Sequence, residues 1–216
     1  MVLKLYGNAV STATRRAATV LVEKQVPFEF IPINTRKPYL EQKKPEYLAK
    51  QPFGQIPLLD DDGFLLYESR AIGRYIAEKY KNQGPALIPV DLKAKAIFEQ
   101  AASSELANFD FYASQVYTEI VKKKRQGLET DNSFVTKLLS ELSVKLDAYD
   151  AILSKQRFLV GDDVTLVDLF HLPFGVGLAL TGSGIIESKP HVNRWFRELA
   201  ARPSWRVVKD GVKSTA

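Results

Sequence analysis

Gln-Pro-Phe-Gly-Gln-Ile-Pro, residues 51–57, is the stretch of this chain that most directly predicts its fold. The bond between Ile56 and Pro57 lies in a turn that contains a glycine, and a cis peptide bond has a small energetic cost only when it precedes proline. A cis bond here would turn the backbone N–H and C=O of Ile56 outward, where an extended peptide could pair with them as an added strand. The stretch therefore predicts a backbone edge that binds a peptide-like ligand.

A second signal follows at Glu68 and Ser69, immediately before apolar residues that have the spacing of a helix. This pattern places a carboxylate and a hydroxyl at a helix N-terminus, where unpaired N–H groups favour an anion. A simple helix cap would use the same two residues. Together with the turn at 51–57, the pair predicts a site for a short, charged peptide.

Apolar periodicity divides the first part of the chain into alternating strands and helices. Strands are predicted over residues 3–6, 28–33, 56–59 and 64–66, and helices over 11–25, 46–50 and 68–81. Asp-Asp-Asp-Gly at 60–63 is typical of a hairpin turn between the last two strands. The order βαβ, short helix, ββα predicts an α/β domain with a small mixed sheet over residues 1–81.

The rest of the chain is predicted to be helical. Residues 82–92 contain glycine and several prolines and are predicted to be a linker to an all-α domain over 93–216. Long helices are predicted over 93–125 and 132–155. Thr165 and Asp168 have the spacing of a capping box at the start of another apolar helix. The tail from Lys209 is predicted to fray.

Composition excludes several kinds of site. The 216 residues include no cysteine, which rules out disulfides and thiol chemistry by the protein itself and is consistent with a cytoplasmic location. No His, Asp and Glu residues cluster with ligand spacing, so we expect no metal. We also expect no signal peptide and no membrane partner, because the first residues lack a basic region followed by a long apolar run and no apolar run has the length of a membrane span. The net charge of +5 is scattered apart from Lys-Lys-Lys-Arg at 122–125, which is predicted to end a helix, so we expect no nucleic-acid partner.

Three motifs give the chain a family resemblance. They are Ala-Val-Ser-Thr-Ala-Thr-Arg-Arg at 9–16, the stretch at 51–57 and Tyr-Glu-Ser-Arg-Ala-Ile at 67–72. In this order the chain resembles the cytosolic glutathione transferases, and within them it looks most like the phi class. The resemblance covers essentially the whole chain. It implies a thioredoxin-like N-terminal domain with a cis-proline at Pro57, an all-α C-terminal domain that contributes a hydrophobic substrate pocket, glutathione as co-substrate, and a homodimer.

The resemblance implies that Ser11 is the catalytic residue. The thiol of glutathione must become a thiolate to attack an electrophile, and a free thiol has a pKa near ~8.5. A hydroxyl at a helix N-terminus stabilises this anion by a hydrogen bond and by the helix dipole. By sequence alone Ser11 is also a good N-cap, and the two roles are compatible. Thr12 and Thr14 are neighbouring hydroxyls that could replace part of the effect, whereas Tyr6 is interpreted as a core or sheet-face residue.

Seven further residues are implied to bind glutathione, namely Gln42, Lys43, Gln55, Ile56, Pro57, Glu68 and Ser69. Ser69 and Glu68, with Gln55, are expected to hold the γ-glutamyl end, and the backbone of Ile56 is expected to pair with the cysteinyl residue. Lys43 is expected to pair with the glycyl carboxylate. Gln42 stands where the family usually has histidine, and its neutral amide predicts weaker binding of glutathione than is normal for the class.

The resemblance also suggests where larger partners bind. The candidate residues of the hydrophobic pocket are Val10, Phe109, Phe111, Tyr112 and Val116, although an aromatic stripe with helical spacing is more often core. Phe53, an aromatic residue between proline and glycine, is the candidate dimer contact, with a local cover over the first domain as the alternative. Arg15 and Arg16 are interpreted as ion-pair formers on a helix surface, with a direct role in raising the electrostatic potential near the sulfur as the alternative. His171 is interpreted as structural.

The predicted activity is conjugation of the glutathione thiolate to hydrophobic electrophiles, with glutathione-dependent reduction of hydroperoxides as a related reaction. The main alternative is a carrier that binds apolar small molecules with little or no turnover. An interaction module of the same fold is a third hypothesis. Ser11 distinguishes them, because only the enzyme needs a lowered thiol pKa.

Overall fold

The computed structural model describes residues 2–216 and divides them into two units by residue contacts. The first unit combines residues 2–87 with Arg202–Ala216, and the second is Ile88–Ala201. Residues 202–216 are predicted to belong to the helical domain, whereas in the structure they pack with the first unit.

The first unit is an α/β layer. Its elements are β1 (Leu3–Gly7), α1 (Thr12–Glu23), β2 (Phe28–Pro32), a 3₁₀ turn (Glu41–Lys43), α2 (Pro45–Leu48), β3 (Leu58–Asp61), β4 (Phe64–Tyr67) and α3 (Ser69–Lys79). The strands form one sheet in the order β2-β1-β3-β4, in which β1 is parallel to β2 and antiparallel to β3. This element order and mixed sheet confirm the predicted thioredoxin-like fold.

The core of the first unit lies between the sheet and its two longer helices. Leu5 of β1 is paired with Leu59 of β3, and both side chains are fully buried. Helices α1 and α3 pack against each other and bury Leu21, Ile72 and Ile76. Each such side chain contributes roughly 1.5–3 kcal/mol when it is removed from water. This packing fixes α1 relative to the start of α3.

The connection out of the first unit is fastened to the end of α1. Lys24 is fully buried, and its Nζ donates to the carbonyl oxygen of Pro85 at 2.8 Å. The side-chain amide of Gln83 donates to the carbonyl of Gln25 at 2.7 Å. A buried ammonium needs such a partner, so the beginning of the predicted linker is held in place.

The second unit is helical, as predicted. Its helices are α4 (Leu92–Ser104), α5 (Phe111–Tyr117), α6 (Lys123–Arg125), α7 (Asn132–Leu153), α8 (Leu166–Ala179) and α9 (Pro190–Ala200). The single helix predicted over 93–125 is instead interrupted by π-helical segments at Glu105–Asp110 and Thr118–Lys122. Each segment adds a residue to a turn, a local change that apolar periodicity does not reveal. Helix α8 approaches α9 closely, because a Cβ on Gly175 would lie 2.1 Å from the ring of Phe196.

The chain ends in the first unit with α10 (Pro203–Val208), which packs against α1. The carboxylate of Glu23 accepts hydrogen bonds from Arg202 and from the hydroxyl of Ser204. Beyond α10, the N–H of Thr215 donates to the carbonyl of Phe28 in β2 at 2.9 Å. The prediction that the tail frays is therefore wrong, because the open edge of β2 supplies partners for it.

A buried carboxylate organises the start of α8. Asp168 is fully buried, and its oxygens accept from the N–H of Thr165 at 2.9 Å, the N–H of Leu159 at 3.0 Å and the indole N–H of Trp195 at 2.9 Å. This arrangement includes the predicted capping box. One turn later His171 is also buried, between the carbonyl of Val167 and the hydroxyl of Tyr149, which supports its structural interpretation.

We expect Asp168→Ala to lower the free energy of unfolding of the second unit by about 3 kcal/mol or more, because it leaves several buried donors without an acceptor. Urea denaturation followed by circular dichroism measures this loss. Asp163→Ala is the matched control, since Asp163 precedes the same helix but is exposed. Similar destabilisation by both variants would contradict the prediction.

Candidate functional site

Ser11 is the N-cap of α1. Its backbone is extended, with φ −65° and ψ 135°, and its hydroxyl oxygen accepts from the N–H of Thr14 at 3.4 Å. The preceding turn is closed by Asn8, whose carbonyl accepts from the N–H of Ser11 at 3.0 Å and whose side chain accepts from the N–H of Val10 at 3.1 Å. Since the cap uses only the oxygen of Ser11, the hydroxyl proton is left for a second partner.

A cavity of about 150 Å³ lies farther along the same helix. It is lined by Ala13, Arg16, Gln51, Gln55, Ile56, Pro57, Glu68, Ser69 and Arg70. Five of the predicted site residues, Gln55, Ile56, Pro57, Glu68 and Ser69, are thus brought together from two separate motifs. The cavity wall does not include Ser11, Gln42 or Lys43.

The turn at 51–57 has the predicted backbone conformation. The bond between Ile56 and Pro57 is cis. Neither the N–H nor the C=O of Ile56 is hydrogen-bonded to any residue in the range 2–216, so both remain available to a ligand. The preceding residue is fixed: Tyr47 donates its hydroxyl to the carbonyl of Gln55 at 2.8 Å, and the N–H of Gln55 donates to the side chain of Gln51 at 3.2 Å. Burial raises the pKa of Tyr47 to about 12, so this hydroxyl keeps its proton.

Glu68 immediately precedes α3 and has a strained backbone. Its φ is +69° and its ψ is 110°, values that side-chain-bearing residues rarely adopt. The side chain is exposed, so it does not contribute to packing. Strain of this kind persists where the surrounding structure imposes it and is concentrated at functional sites.

Arg16 is a residue of the cavity wall that the sequence analysis placed on the helix surface. It is only 3% exposed, and its Nη1 donates to the hydroxyl of Ser69 at 3.1 Å. The surface interpretation of Arg16 is therefore wrong. A signal was present in the sequence, because Arg16 adjoins the apolar pair Ala17 and Ala18 on a helix whose next turn is apolar. A guanidinium buried there requires a polar partner.

Gln42 and Lys43 lie on the 3₁₀ turn beside the 51–57 turn. Lys43 donates from Nζ to the carbonyl of Phe53 at 3.0 Å, and a Cβ on Gly54 would lie 2.7 Å from the carbonyl oxygen of Gln42. The side-chain oxygen of Gln42 is buried and accepts no hydrogen bond from the described residues. The pair thus borders the segment that carries Gln55 and Ile56, although it does not line the cavity.

Tyr6 does not line the cavity around Ser69. It is half-buried and lines a second cavity, of about 290 Å³, with Tyr47 and Lys50. The ammonium of Lys50 lies 5.2 Å from the centre of its ring. The residues of this second cavity do not overlap with those around Ser69. This position supports the interpretation of Tyr6 as a sheet-face residue.

The candidate pocket residues of the second unit differ in accessibility. Phe109 and Val116 are buried, and the ring of Phe109 lies 4.6 Å from that of His171. Phe111 is exposed, and its ring makes an edge contact with half-buried Tyr112 at 5.0 Å. Of these four candidates, Phe111 and Tyr112 are accessible to a ligand.

Two other predicted contacts, both in the first unit, are accessible. Val10 exposes half of its side chain next to Ser11. Phe53 is 62% exposed, and its ring makes an edge contact with Tyr67 at 5.8 Å. A cover over the core of the first unit would be more deeply buried than Phe53 is.

The described residues lack two kinds of feature. None of the helices within residues 2–216 combines the length and apolar character needed to cross a membrane. The same range contains no group of three or more His, Cys, Asp or Glu residues arranged to hold a metal ion.

Comparison with known proteins gives consistent results along the chain. The family models for the N-terminal and C-terminal domains of glutathione S-transferase match residues 1–78 and 107–203. The chain is 46% identical to glutathione S-transferase hmp2 of Hypomyces subiculosus, in an alignment that covers 100% of this chain and 99% of that protein.

Solved structures are similar over nearly the same length. Glutathione transferase F7 from Populus trichocarpa superposes with a TM-score of 0.92 at 36% identity, covering 97% of this chain and 98% of that one. Glutathione S-transferase I from maize, solved in complex with an atrazine glutathione conjugate, superposes with a TM-score of 0.90 at 32% identity, covering 97% of each chain.

The strain at Glu68 can be measured with two substitutions that remove the same exposed carboxylate. The two variants are Glu68→Gly and Glu68→Ala. Glycine tolerates a positive φ and alanine does not, so we expect the free energy of unfolding of Glu68→Gly to exceed that of Glu68→Ala by about 1 kcal/mol. Urea denaturation of the two variants side by side gives the difference. Equal stabilities would show that the backbone at this position is not strained.

Proposed function

The chain belongs to the glutathione S-transferase family, with phi-class enzymes among its relatives, and we propose that it joins the thiolate of glutathione to hydrophobic electrophiles with Ser11 as the catalytic residue. In this reaction the sulfur lone pair forms a bond to the electrophilic carbon, and the leaving group departs with its electron pair. The observation that carries the proposal is the position of Ser11 as N-cap of α1, the helix whose Arg16 also lines the cavity.

The task of Ser11 in this proposal is to keep the sulfur ionised. A free thiol has a pKa near ~8.5 and is mostly protonated at neutral pH. The Ser11 hydroxyl donates to the sulfur while its oxygen keeps the cap on Thr14, and the N-terminus of α1 adds a favourable dipole. A shift of about two pKa units corresponds to about 2.7 kcal/mol of preferential stabilisation of the thiolate.

The γ-glutamyl end of glutathione is assigned to the cavity. Its carboxylate accepts from the hydroxyl of Ser69 and from backbone N–H groups at the start of α3, and its ammonium pairs with exposed Glu68. Gln55 supplies a further polar contact from the same wall. Arg16, which donates to Ser69, adds a buried positive charge behind the carboxylate. This is the charge pattern expected for an amino-acid group.

The cysteinyl and glycyl parts of glutathione are proposed to lie along the 51–57 turn. The cysteinyl residue pairs with the backbone N–H and C=O of Ile56, held at Pro57, because these groups have no partner among residues 2–216. Lys43 pairs with the glycyl carboxylate by exchanging its present acceptor, the carbonyl of Phe53. Gln42 supports the same carboxylate with a neutral amide, which is weaker than a charged donor.

The hydrophobic electrophile is assigned to accessible apolar side chains. Val10 lies next to Ser11 and exposes half of its surface. In the helical unit, Phe111 and Tyr112 are proposed contacts, whereas Phe109 and Val116 are buried. We also place the protein in the cytoplasm, where glutathione is abundant and a cysteine-free chain needs no oxidising compartment.

Ser11→Ala tests the enzyme against the carrier. We expect the pKa of bound glutathione to return toward ~8.5 in the variant. The value of kcat/KM for a chloronitrobenzene at about pH 6.5 should fall about fiftyfold, because a thiol pKa lowered by two units leaves about half of the thiol ionised there, whereas a pKa of ~8.5 leaves about 1%. The deficit should shrink as the pH rises from about 6.5 toward ~8.5 and nearly vanish above the free thiol pKa, since the thiolate then forms without help. Ultraviolet absorbance of the thiolate gives the titration directly.

Thr12→Ala is the control, because it removes the adjacent hydroxyl and leaves the N-cap intact. Loss of the N-cap in Ser11→Ala is expected to lower the stability of the protein by about 1 kcal/mol. The thermal midpoint of each variant measures this loss, so that it can be distinguished from a loss of catalysis. A carrier would bind glutathione with an unshifted thiol in both the wild type and Ser11→Ala, and this result would reject the proposed catalytic role.

We further propose that the protein is a homodimer in which Phe53 contacts the partner subunit. Its 62% exposure and its edge contact with Tyr67 support an anchor that needs a second surface. We expect Phe53→Ser to shift the equilibrium toward monomer by about tenfold or more in dissociation constant, measured by sedimentation. Tyr39→Ser is the control, since Tyr39 is similarly exposed in the same unit. An unchanged equilibrium in Phe53→Ser would reject this contact.

A further inference from the structure

The end of the chain returns to the loop that carries Ser11. The N–H of Val212 donates to the carbonyl oxygen of Ala9 at 3.1 Å, and the side chain of Val212 is only 2% exposed. Gly211 precedes it with a φ of +144°, a conformation that residues with a side chain rarely adopt. The bend at Gly211 therefore points the N–H of Val212 toward the loop that carries Ser11.

A second contact joins the same segment to the other side of Ser11. Arg15, one turn into α1, donates from Nη1 to the carbonyl oxygen of Lys209 at 2.8 Å. Its guanidinium also lies 5.6 Å from the centre of the Trp205 ring. Ala9 precedes Ser11 and Arg15 follows it, so residues 209–212 hold the chain on both sides of the proposed catalytic hydroxyl.

The segment is itself anchored beyond Val212. The hydroxyl of Ser214 accepts from the N–H of Phe30 at 2.9 Å, and the hydroxyl of Thr215 accepts from the N–H of Phe28 at 3.1 Å. Upstream, α10 is tied to α1 through Glu23. Val212 thus lies between two fixed points, and its N–H has little freedom to leave Ala9.

The loop has few other restraints of its own. Its remaining hydrogen bonds are short in range: Asn8 accepts from Val10 and from Ser11, and Ser11 accepts from the N–H groups of Thr14 and Arg15 in α1. Within residues 2–216, the bond from Val212 is the one backbone–backbone hydrogen bond that reaches segment 8–11 from a distant part of the sequence. Ser11 is thus held at the start of α1, whereas the orientation of Ala9 before it depends on the bond from Val212.

We propose that residues 209–216 form a C-terminal strap that positions Ser11, and that the N–H of Val212 is its decisive contact. The strap holds Ala9 so that the hydroxyl of Ser11 points at the sulfur of bound glutathione. This inference rests on the proposed role of Ser11. Because Ser69, Glu68 and Ile56 belong to other elements, loss of the strap changes the alignment of the reacting sulfur and leaves the binding of the tripeptide largely intact.

Val212→Pro tests the strap, because proline has no N–H to donate. Lys213→Pro is the matched control, since the N–H of exposed Lys213 bonds to none of the described residues. Hydrogen exchange of segment 8–11, measured by mass spectrometry, reports the loop independently of turnover. We expect exchange there to accelerate in Val212→Pro alone, and kcat to fall about three- to tenfold with KM for glutathione nearly unchanged.

Gly211→Ala is a second variant for the case in which Val212→Pro does not fold. Alanine disfavours the positive φ at this position and displaces Val212, so the same pattern is expected. Val212→Ala keeps the N–H and should resemble the wild type in hydrogen exchange of the loop. These comparisons separate the hydrogen bond from the apolar contact of the side chain.

The strap is rejected if segment 8–11 exchanges equally fast in the wild type and in Val212→Pro, or if exchange accelerates while kcat stays constant. A rise in KM without a fall in kcat also rejects it, because that result would indicate a role in binding. Failure of the proposed function has a different signature: Ser11→Ala would keep the wild-type thiol titration, whatever the exchange of segment 8–11 shows.

Discussion

A guanidinium cannot be buried without a hydrogen-bond acceptor, and this constraint determines how the first unit is arranged around α1. Arg16 satisfies it with the hydroxyl of Ser69, which joins the middle of α1 to the first residue of α3. The two motifs that lie farthest apart in this half of the chain therefore meet at one cavity. Other polar side chains attach α1 to neighbouring segments. Arg15 and Glu23 bond to the C-terminal segment, and the C-cap residue Lys24 bonds to the connection that leaves the first unit.

Residues at helix starts perform two tasks in this structure. Ser11 caps α1 with its oxygen and has a proton left for a ligand, and Glu68 begins α3 in a strained conformation that presents an exposed carboxylate. In the second unit, by contrast, Asp168 uses both of its oxygens on internal donors and is fully buried. A residue at a helix start can therefore bind a ligand when some of its hydrogen-bonding groups have no internal partner. When all of these groups are paired internally, the residue stabilises the fold instead.

Local signals in the sequence predicted much of this arrangement. The βαβ-ββα order, the cis bond before Pro57 and the capping box at Asp168 each depend on residues that are neighbours in the chain, so patterns of spacing reveal them. Arg16 and the C-terminal segment were misjudged because their partners lie 53 and nearly 200 residues away. The π-helical segments were missed because an extra residue in one turn barely alters helical periodicity. Among the glutathione-site candidates, those on the 51–57 turn and at the start of α3 share a cavity, whereas Gln42 and Lys43 border it.

The pairing of Thr215 with Phe28 has a consequence for biosynthesis. Residues 202–216 emerge from the ribosome only after the whole helical unit has been made, yet they cover the edge strand of a sheet whose other residues were made first. During translation the outer N–H groups of β2 are therefore open to other chains, and nascent sheets with open edges are prone to aggregation. The time needed to synthesise the helical unit sets how long a growing chain is exposed to this risk.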